Sequence, residues 1–195
     1  MEVYTDASIQ GNKFGIGVLF IDDNGVERKY FSGLRIVDIR IELFGNAGKL
    51  ITRKISNDPN IGEGIAILRS LEMLLNKTED VILYTDSLTF FELIHNFRET
   101  KNELHSIIVK KCKKLIENIN VDIRWIKGHA GVYGNEIADK LASKGRKRLS
   151  EDMFLEKIIR KKENGASLTR TERIFYNKKQ RIKRLERQKN LNKKI

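Results

Sequence analysis

Four carboxylates and one histidine (Asp6, Glu63, Asp86, Asp139 and His129) stand where they could do chemistry together. Asp6 falls in Met1–Ala7, where Val3 and Thr5 alternate with Tyr4 and Asp6 as in a strand. An acid in a strand of a central sheet is costly unless it binds something. Glu63 lies near the start of a helical spacing, and Asp86 ends the short apolar run Val81–Thr85. His129 and Asp139 share the stretch Trp125–Ala142, WIKGHAGVYGNEIADKLA, a glycine-rich loop that feeds a helix. Any one of these acids alone is better explained blandly: Asp6 in a turn, Glu63 answering a helix dipole, Asp86 capping the next helix, Asp139 pairing with Lys140 or Lys144. Four at strand ends and first turns of one sheet are a different matter. They would repel and take up protons unless cations sat among them. Hard oxygen donors suit Mg²⁺ or Mn²⁺, and two such ions about 4 Å apart form a clamp for in-line attack on a phosphodiester. A histidine facing a fixed carboxylate suits proton handling beside such a metal.

The elements that must bring these groups together follow from the spacing of apolar residues. Phe14–Asp22 and Val26–Ser32 read as strands, with Asp23-Asn24-Gly25 closing a hairpin, so the chain opens with an antiparallel meander. Ile61–Asn76 has the helical spacing of Ile61, Ile65, Leu68, Leu71 and Leu75, with Glu63 in its first turn. Val81–Thr85 is the apolar run of a strand buried on both faces. Ser87–Phe97 and Lys101–Asn118 read as helices, and Val121–Trp125 as the last strand, with Trp125 in the core. Phe90, Phe91 and Phe97 read as packing, and His95 and His105 as ordinary surface or packing residues. Asn135 is the expected N-cap of the final helix, with Glu136 in its first turn. Together these predict a mixed α/β sheet, whose ligands gather at the carboxyl ends of the parallel strands. Gly33–Asn60 fits less simply. Alternation in Arg35–Leu43 and Gly48–Ile55 predicts an extra hairpin or excursion that ends near Pro59. The string Tyr-Thr-Asp occurs twice, at Tyr4–Asp6 and Tyr84–Asp86, too short a match to count as a repeat.

Taken in order, YTDAS with Asp6, NIGEGIAI with Glu63, YTDS with Asp86, and WIKGHAGVYGNEIAD with His129 and Asp139 resemble type 1 ribonuclease H over roughly residues 1–145. The last motif is the specific one; Tyr-Thr-Asp alone would be weak. The resemblance implies a ribonuclease H-like fold: a five-stranded mixed sheet, a meander and then parallel strands, with helices on both faces. It implies endonucleolytic hydrolysis of the RNA strand of RNA–DNA hybrids, leaving 5′-phosphate and 3′-hydroxyl ends. It implies Asp6 between two Mg²⁺ ions, for which Mn²⁺ could substitute, Glu63 and Asp86 on one ion and Asp139 on the other. His129 would help product release or proton transfer. Asn60 and Gly62 stand where the family touches the hybrid, and Ser87, Lys144, Arg146, Lys147 and Arg148 complete the expected contacts. Departures from the family pattern are the Gly33–Asn60 insertion, Leu88 where a base-contacting Gln is frequent, and the absence of a tryptophan-bearing basic protrusion.

Composition sets outer bounds. The 195 residues can bury one sizeable core and at most a small second domain. No run of about 18 apolar residues exists, and no basic-then-apolar leader pattern is visible. Cys112 is the single cysteine, which excludes an intramolecular disulfide, argues against a disulfide-linked partner, and fits a reducing, cytoplasmic compartment. A monomer is the expected state. The net charge of +12 is unevenly placed: Lys144–Ile195 holds 19 of the 38 basic residues and 6 of the 26 acidic ones, and the remainder is close to neutral. Such asymmetry points to a polyanionic partner. The expected division is therefore a catalytic domain over 1–145 and a basic, mostly helical extension over 146–195. Within the extension, Ser150–Glu163 reads as a short amphipathic helix closed at Asn164-Gly165, and Thr169 with Glu172 as a capping box. Two rivals stand beside the hybrid nuclease: a recombinase or junction resolvase of the same superfamily, and a non-catalytic hybrid- or RNA-binding module.

Overall fold

A computed structural model describes residues 1–36 and 58–192 of the chain. Its strands are β1 (Glu2–Gln10), β2 (Lys13–Ile21), β3 (Glu27–Arg35), β4 (Val81–Thr85) and β5 (Val121–Trp125). They form one sheet in the order β3-β2-β1-β4-β5. β1, β2 and β3 pair antiparallel, while β1–β4 and β4–β5 pair parallel. This is the mixed five-stranded sheet expected. The excursion expected after β3 begins later than its pattern suggested, because Gly33, Leu34 and Arg35 continue the strand opposite Gly15, Phe14 and Lys13. Most of that segment, residues 37–57, lies outside the described residues.

One face of the sheet is covered by helices α1 (Pro59–Leu74), α2 (Leu88–Ile94) and α3 (Glu103–Ile116). Ile61, Ile65, Leu68 and Leu71 of α1 are buried against Val3, Phe14, Ile16 and Leu83 in the main core. Each such side chain stabilises by roughly 1.5–3 kcal/mol. Asp58 caps α1 by accepting from the Asn60 N–H at 3.1 Å, and Pro59 opens the helix, where its missing N–H costs nothing. Glu63 therefore sits in the second turn, not the first as its position in the apolar pattern suggested. The other Asp58 oxygen lies 2.9 Å from His105 Nε2 and 3.3 Å from Asn102 Nδ2, which ties the starts of α1 and α3 together. His105 is thus a buried structural partner. Cys112 is fully buried, and burial pushes its thiol up to about 12. Phe90 packs in the core as expected, but Phe97 is 73% exposed.

Helix α4 (Tyr133–Glu163) covers the other face at its start. The seam is made of small residues. A Cβ on Gly17 would lie 2.0 Å from the Ala138 carbonyl oxygen, and one on Gly15 equally close to that of Ala142. On β3, a Cβ on Gly33 would fall 2.4 Å from the Gly145 carbonyl oxygen. The helix backbone therefore rests directly on the sheet backbone. Beside this seam, Tyr4, Leu19 and Ala138 form a second small core with Tyr84, Val132 and Ile137.

The described residues cluster into two compact units, Met1–Leu149 and Ser150–Ile195. The separate helix expected at Ser150–Glu163 is instead the continuation of α4, since nothing between Ala142 and Ser150 breaks a helix except Gly145, which the seam requires. In the second unit α4 ends at Asn164-Gly165, and α5 (Arg170–Asn192) follows. Gly165 takes φ +71°, the left-handed cap that frees a helix end. The Thr169–Glu172 capping box forms as read: the Glu172 N–H donates to Thr169 Oγ1 at 3.2 Å, and the Thr169 N–H donates to Glu172 Oε2 at 2.9 Å. Lys161, 2.6 Å from Glu172, holds that carboxyl down at about 2. Phe154 and Phe175 meet edge-on at 4.9 Å. No described helix is long and apolar enough to cross a membrane.

Candidate active site

The repeated Tyr-Thr-Asp string explains how two of the acids meet. β1 and β4 run parallel with Tyr4 opposite Tyr84 and Thr5 opposite Thr85. The two tyrosine rings stack at 4.7 Å on one side, and both threonines are fully buried. Continuing the register by one residue places Asp6, midway along β1, beside Asp86, just past the carboxyl end of β4. Glu63 comes from α1, which crosses this end. Carboxylate oxygens of Asp6, Glu63 and Asp86 all lie within 4.8 Å of one another. Asp139, in the second turn of α4, stands outside that tight group but close enough to add its charge to the field at Asp6.

The electrostatics are those of crowded acids. Asp6 is 6% exposed, and burial, then the Asp86 and Asp139 charges, push its carboxyl up to about 7 despite a 2.6 Å hydrogen bond from the Ala7 N–H. Glu63 is raised well above the ordinary carboxylate value, by burial first and then by Asp6 and Asp86. Its Oε2 is buried with no hydrogen-bond partner among the described residues. An orphaned carboxylate oxygen pointing at two further carboxylates is unfavourable without a cation and fits one well. The donor set is all oxygen, which selects a hard divalent cation.

Asp86 is held from the stretch that carries His129. Trp125 Nε1 donates to the Asp86 carbonyl oxygen at 3.1 Å, and Asn135 Nδ2 donates to Asp86 Oδ2 at 3.1 Å. A Cβ on Gly128 would sit 2.9 Å from the same Oδ2. Two expectations are corrected here. Trp125 is 41% exposed and serves as a hydrogen-bond donor, because the outer face of edge strand β5 is left open. Asn135 is not the N-cap, since α4 already begins at Tyr133; it is a buried side chain aimed at Asp86, with its Oδ1 unpartnered. Its place two residues after the helix start was the signal available in sequence, but the same residue type is also the commonest cap. Replacing Asn135 by Leu keeps roughly the same shape and removes the donor that fixes the Asp86 carboxylate. Divalent metal affinity measured by calorimetry should fall about 10–100-fold, the usual scale for an outer-shell partner.

His129 lies on the exposed loop, with its own backbone in the left-handed region at φ 52°, and Gly131 follows at φ 76°. Among the expected nucleic-acid contacts, Asn60 is exposed in the first turn of α1. Gly62 is buried, where its missing Cβ admits Ile9 and Phe14, so the structure gives it a packing role. Ser87 is 6% exposed and caps α2, accepting from the Phe90 N–H at 3.4 Å. Lys144 Nζ lies 4.4 Å above the Phe31 ring. Arg146 Nε donates to Ser8 Oγ at 2.9 Å, and its Nη1 donates to Gln10 Oε1. Lys147 and Arg148 are exposed.

Comparison with known proteins matches the RNase H family over residues 1–147. Among curated relatives, the ribonuclease H of Methylobacillus flagellatus is 30% identical over 156 residues, covering 74% of this chain and 90% of that protein. That of Legionella pneumophila is 29% identical over 164 residues, covering 77% and 99%. Of solved structures, RNase H1 from the archaeon Halobacterium salinarum superposes with a TM-score of 0.56 at 17% identity, covering 74% of this chain and 95% of that one. LC11-RNase H1, isolated from compost by a metagenomic approach, gives 0.57 at 19%, covering 76% and 96%. The two structures share this fold, and the family match runs through every element that delivers an acid to the site: this chain belongs to the RNase H family.

Proposed function

We propose that the chain is an endoribonuclease that hydrolyses the RNA strand of RNA–DNA hybrids at the Asp6–Glu63–Asp86–Asp139 site. The observation that carries this is the in-register pairing that sets Asp6 beside Asp86, with Glu63 brought over them by α1. Two Mg²⁺ ions, or Mn²⁺ in their place, would supply the charge that lowers the pKa of an attacking water and steadies the leaving oxygen. Asp6 would hold both, Glu63 and Asp86 one, and Asp139 the other. Asn135 holds the Asp86 carboxylate, and Trp125 holds the Asp86 backbone. His129, on an exposed loop, would exchange protons with solvent or with the departing product. Asn60, Arg146, Lys147 and Arg148 would meet the hybrid, with Lys144, Ser87 and Gly62 steadying the surface they stand on. RNA is told from DNA through the 2′-hydroxyls of the wide, shallow minor groove. Family membership favours this reading over a resolvase-type nuclease or an idle binding module. The catalytic domain is taken as residues 1–145, the remainder as an extension, and the single buried cysteine agrees with an intracellular site of action.

Product chemistry tests the proposal. Fragments from a Mg²⁺-dependent digest should be extendable by a polymerase without end repair, since a free 3′-hydroxyl is expected. Fragments bearing a 2′,3′-cyclic phosphate would point instead to attack by the RNA's own 2′-hydroxyl and to a metal-independent mechanism.

A further inference from the structure

The second unit holds 15 Lys and Arg against 6 Asp and Glu, and its cations are sorted by side. Those turned toward the packed interior are paired: Lys161 with Glu172, and Lys179 with Glu151 at 2.6 Å. Lys162 lies 4.3 Å over the Tyr176 ring. Another side of α5 differs. Arg170, Arg173, Asn177, Arg181, Arg184 and Gln188 recur at the three- and four-residue spacing of a single helix face, and all six are exposed. None of the four arginines has an ion pair among the described residues. Both acids of the helix, Glu172 and Glu186, fall off this face. From Arg170 to Arg184 the stripe runs about 21 Å along the axis.

We propose that this stripe is a docking surface for the phosphate backbone of double-helical nucleic acid. The choice of ligand rests on the nuclease reading of the first unit; the surface itself does not. An arginine fork matches phosphate oxygens two at a time, and the amides of Asn177 and Gln188 can donate to the same oxygens. Single strands are disfavoured because the six positions hold no aromatic ring, and Tyr176, which lines a pocket beside Arg173 and Asn177, is already covered by Lys162. An anionic membrane is disfavoured because Phe175 is spent on Phe154, and the apolar residues that α5 does expose, Ile174, Ile182 and Leu185, are only three and share their side with Lys178.

The test uses the full chain carrying Asp86→Asn, so that binding is read without turnover. Affinity for a short RNA–DNA hybrid is measured by fluorescence anisotropy across a potassium chloride series. Combining Arg170→Gln, Arg173→Gln, Arg181→Gln and Arg184→Gln should flatten the slope of log affinity against log salt by about 3–4 and weaken binding about tenfold or more at low salt, the loss of four phosphate contacts. The same four positions changed to Lys keep the charge and should restore most of the slope, while circular dichroism checks that both variants remain helical. Equal slopes and affinities for parent and Gln variant would overturn the proposal. So would arginine-dependent binding to phosphatidylserine vesicles with hybrid binding unchanged. Failure of the nuclease reading would appear separately, as absent turnover in the chain with Asp86 intact.

Discussion

Changing Asp6 to Asn should remove activity and stabilise the protein at once. Turnover should fall by about 10³-fold or more, the scale on which loss of one preorganised electrostatic partner shows. Stability in EDTA should rise, and the sign follows from the crowding. The Asp6 carboxyl titrates near 7 in the folded chain, well above its unfolded value. Between about pH 4 and 7 the folded chain therefore holds a proton that the unfolded chain has released, and stability contributed by this group declines as pH rises through that window. Above pH 7 the wild type keeps a buried charge facing Glu63 and Asp86, while Asn keeps the shape without it. Urea unfolding at pH 8 in EDTA should show the variant more stable by roughly 2–4 kcal/mol, with the gain shrinking toward pH 5. Adding Mg²⁺ should stabilise the wild type and narrow the gap. A variant less stable than wild type at pH 8 without metal would mean that the acids are not in conflict.

The second large effect is expected at Gly17, which lies opposite Asp6 in β2. A Cβ there would sit 2.0 Å from the Ala138 carbonyl oxygen, 2.5 Å from the Ala142 nitrogen and 2.8 Å from Leu141 Cβ. Two of those atoms are helix backbone, so no side chain can rotate aside; α4 must lift off the sheet. Gly17→Ala should cost about 3 kcal/mol, at the upper end for overpacking, and lower the melting temperature by about 6–12 °C. Asp139 is the neighbour of Ala138, so the lift also moves an acid of the proposed site. A displacement near 1 Å costs about 10²-fold in turnover. The loss of kcat should therefore persist well below the variant's melting temperature. Full activity in a folded Gly17→Ala chain would show that α4 has slack the structure does not display.

Much of this was legible in the residues. Alternation and apolar runs located the strands, and residue type with order located the four acids and His129. What stayed hidden was mostly three-dimensional partnership. The two Tyr-Thr-Asp strings looked incidental because sequence does not say that β1 and β4 pair in register. Asn135 looked like a cap because Asn at a helix start usually is one; only the fold brings Asp86 within reach of its amide. Trp125 looked like core because a strand tryptophan usually is, yet β5 is an edge strand. Gly15, Gly17 and Gly33 carry no distinguishing signal in sequence, since a glycine in a strand shows what it admits only when the helix lying over it is in place. The helix expected at Ser150–Glu163 is the far end of α4, because residue types alone do not show that the helix runs on through Gly145, whose missing Cβ the close approach of Ser32 demands.

The most direct test of the central claim is cleavage of a strand-labelled RNA–DNA hybrid in Mg²⁺, beside duplex RNA, duplex DNA and single-stranded RNA, by the wild type and by Asp86→Asn. The account predicts cuts in the RNA strand of the hybrid only, lost in Asp86→Asn while hybrid binding survives. Cleavage of duplex or branched DNA, or hybrid cleavage undiminished in Asp86→Asn, would contradict it.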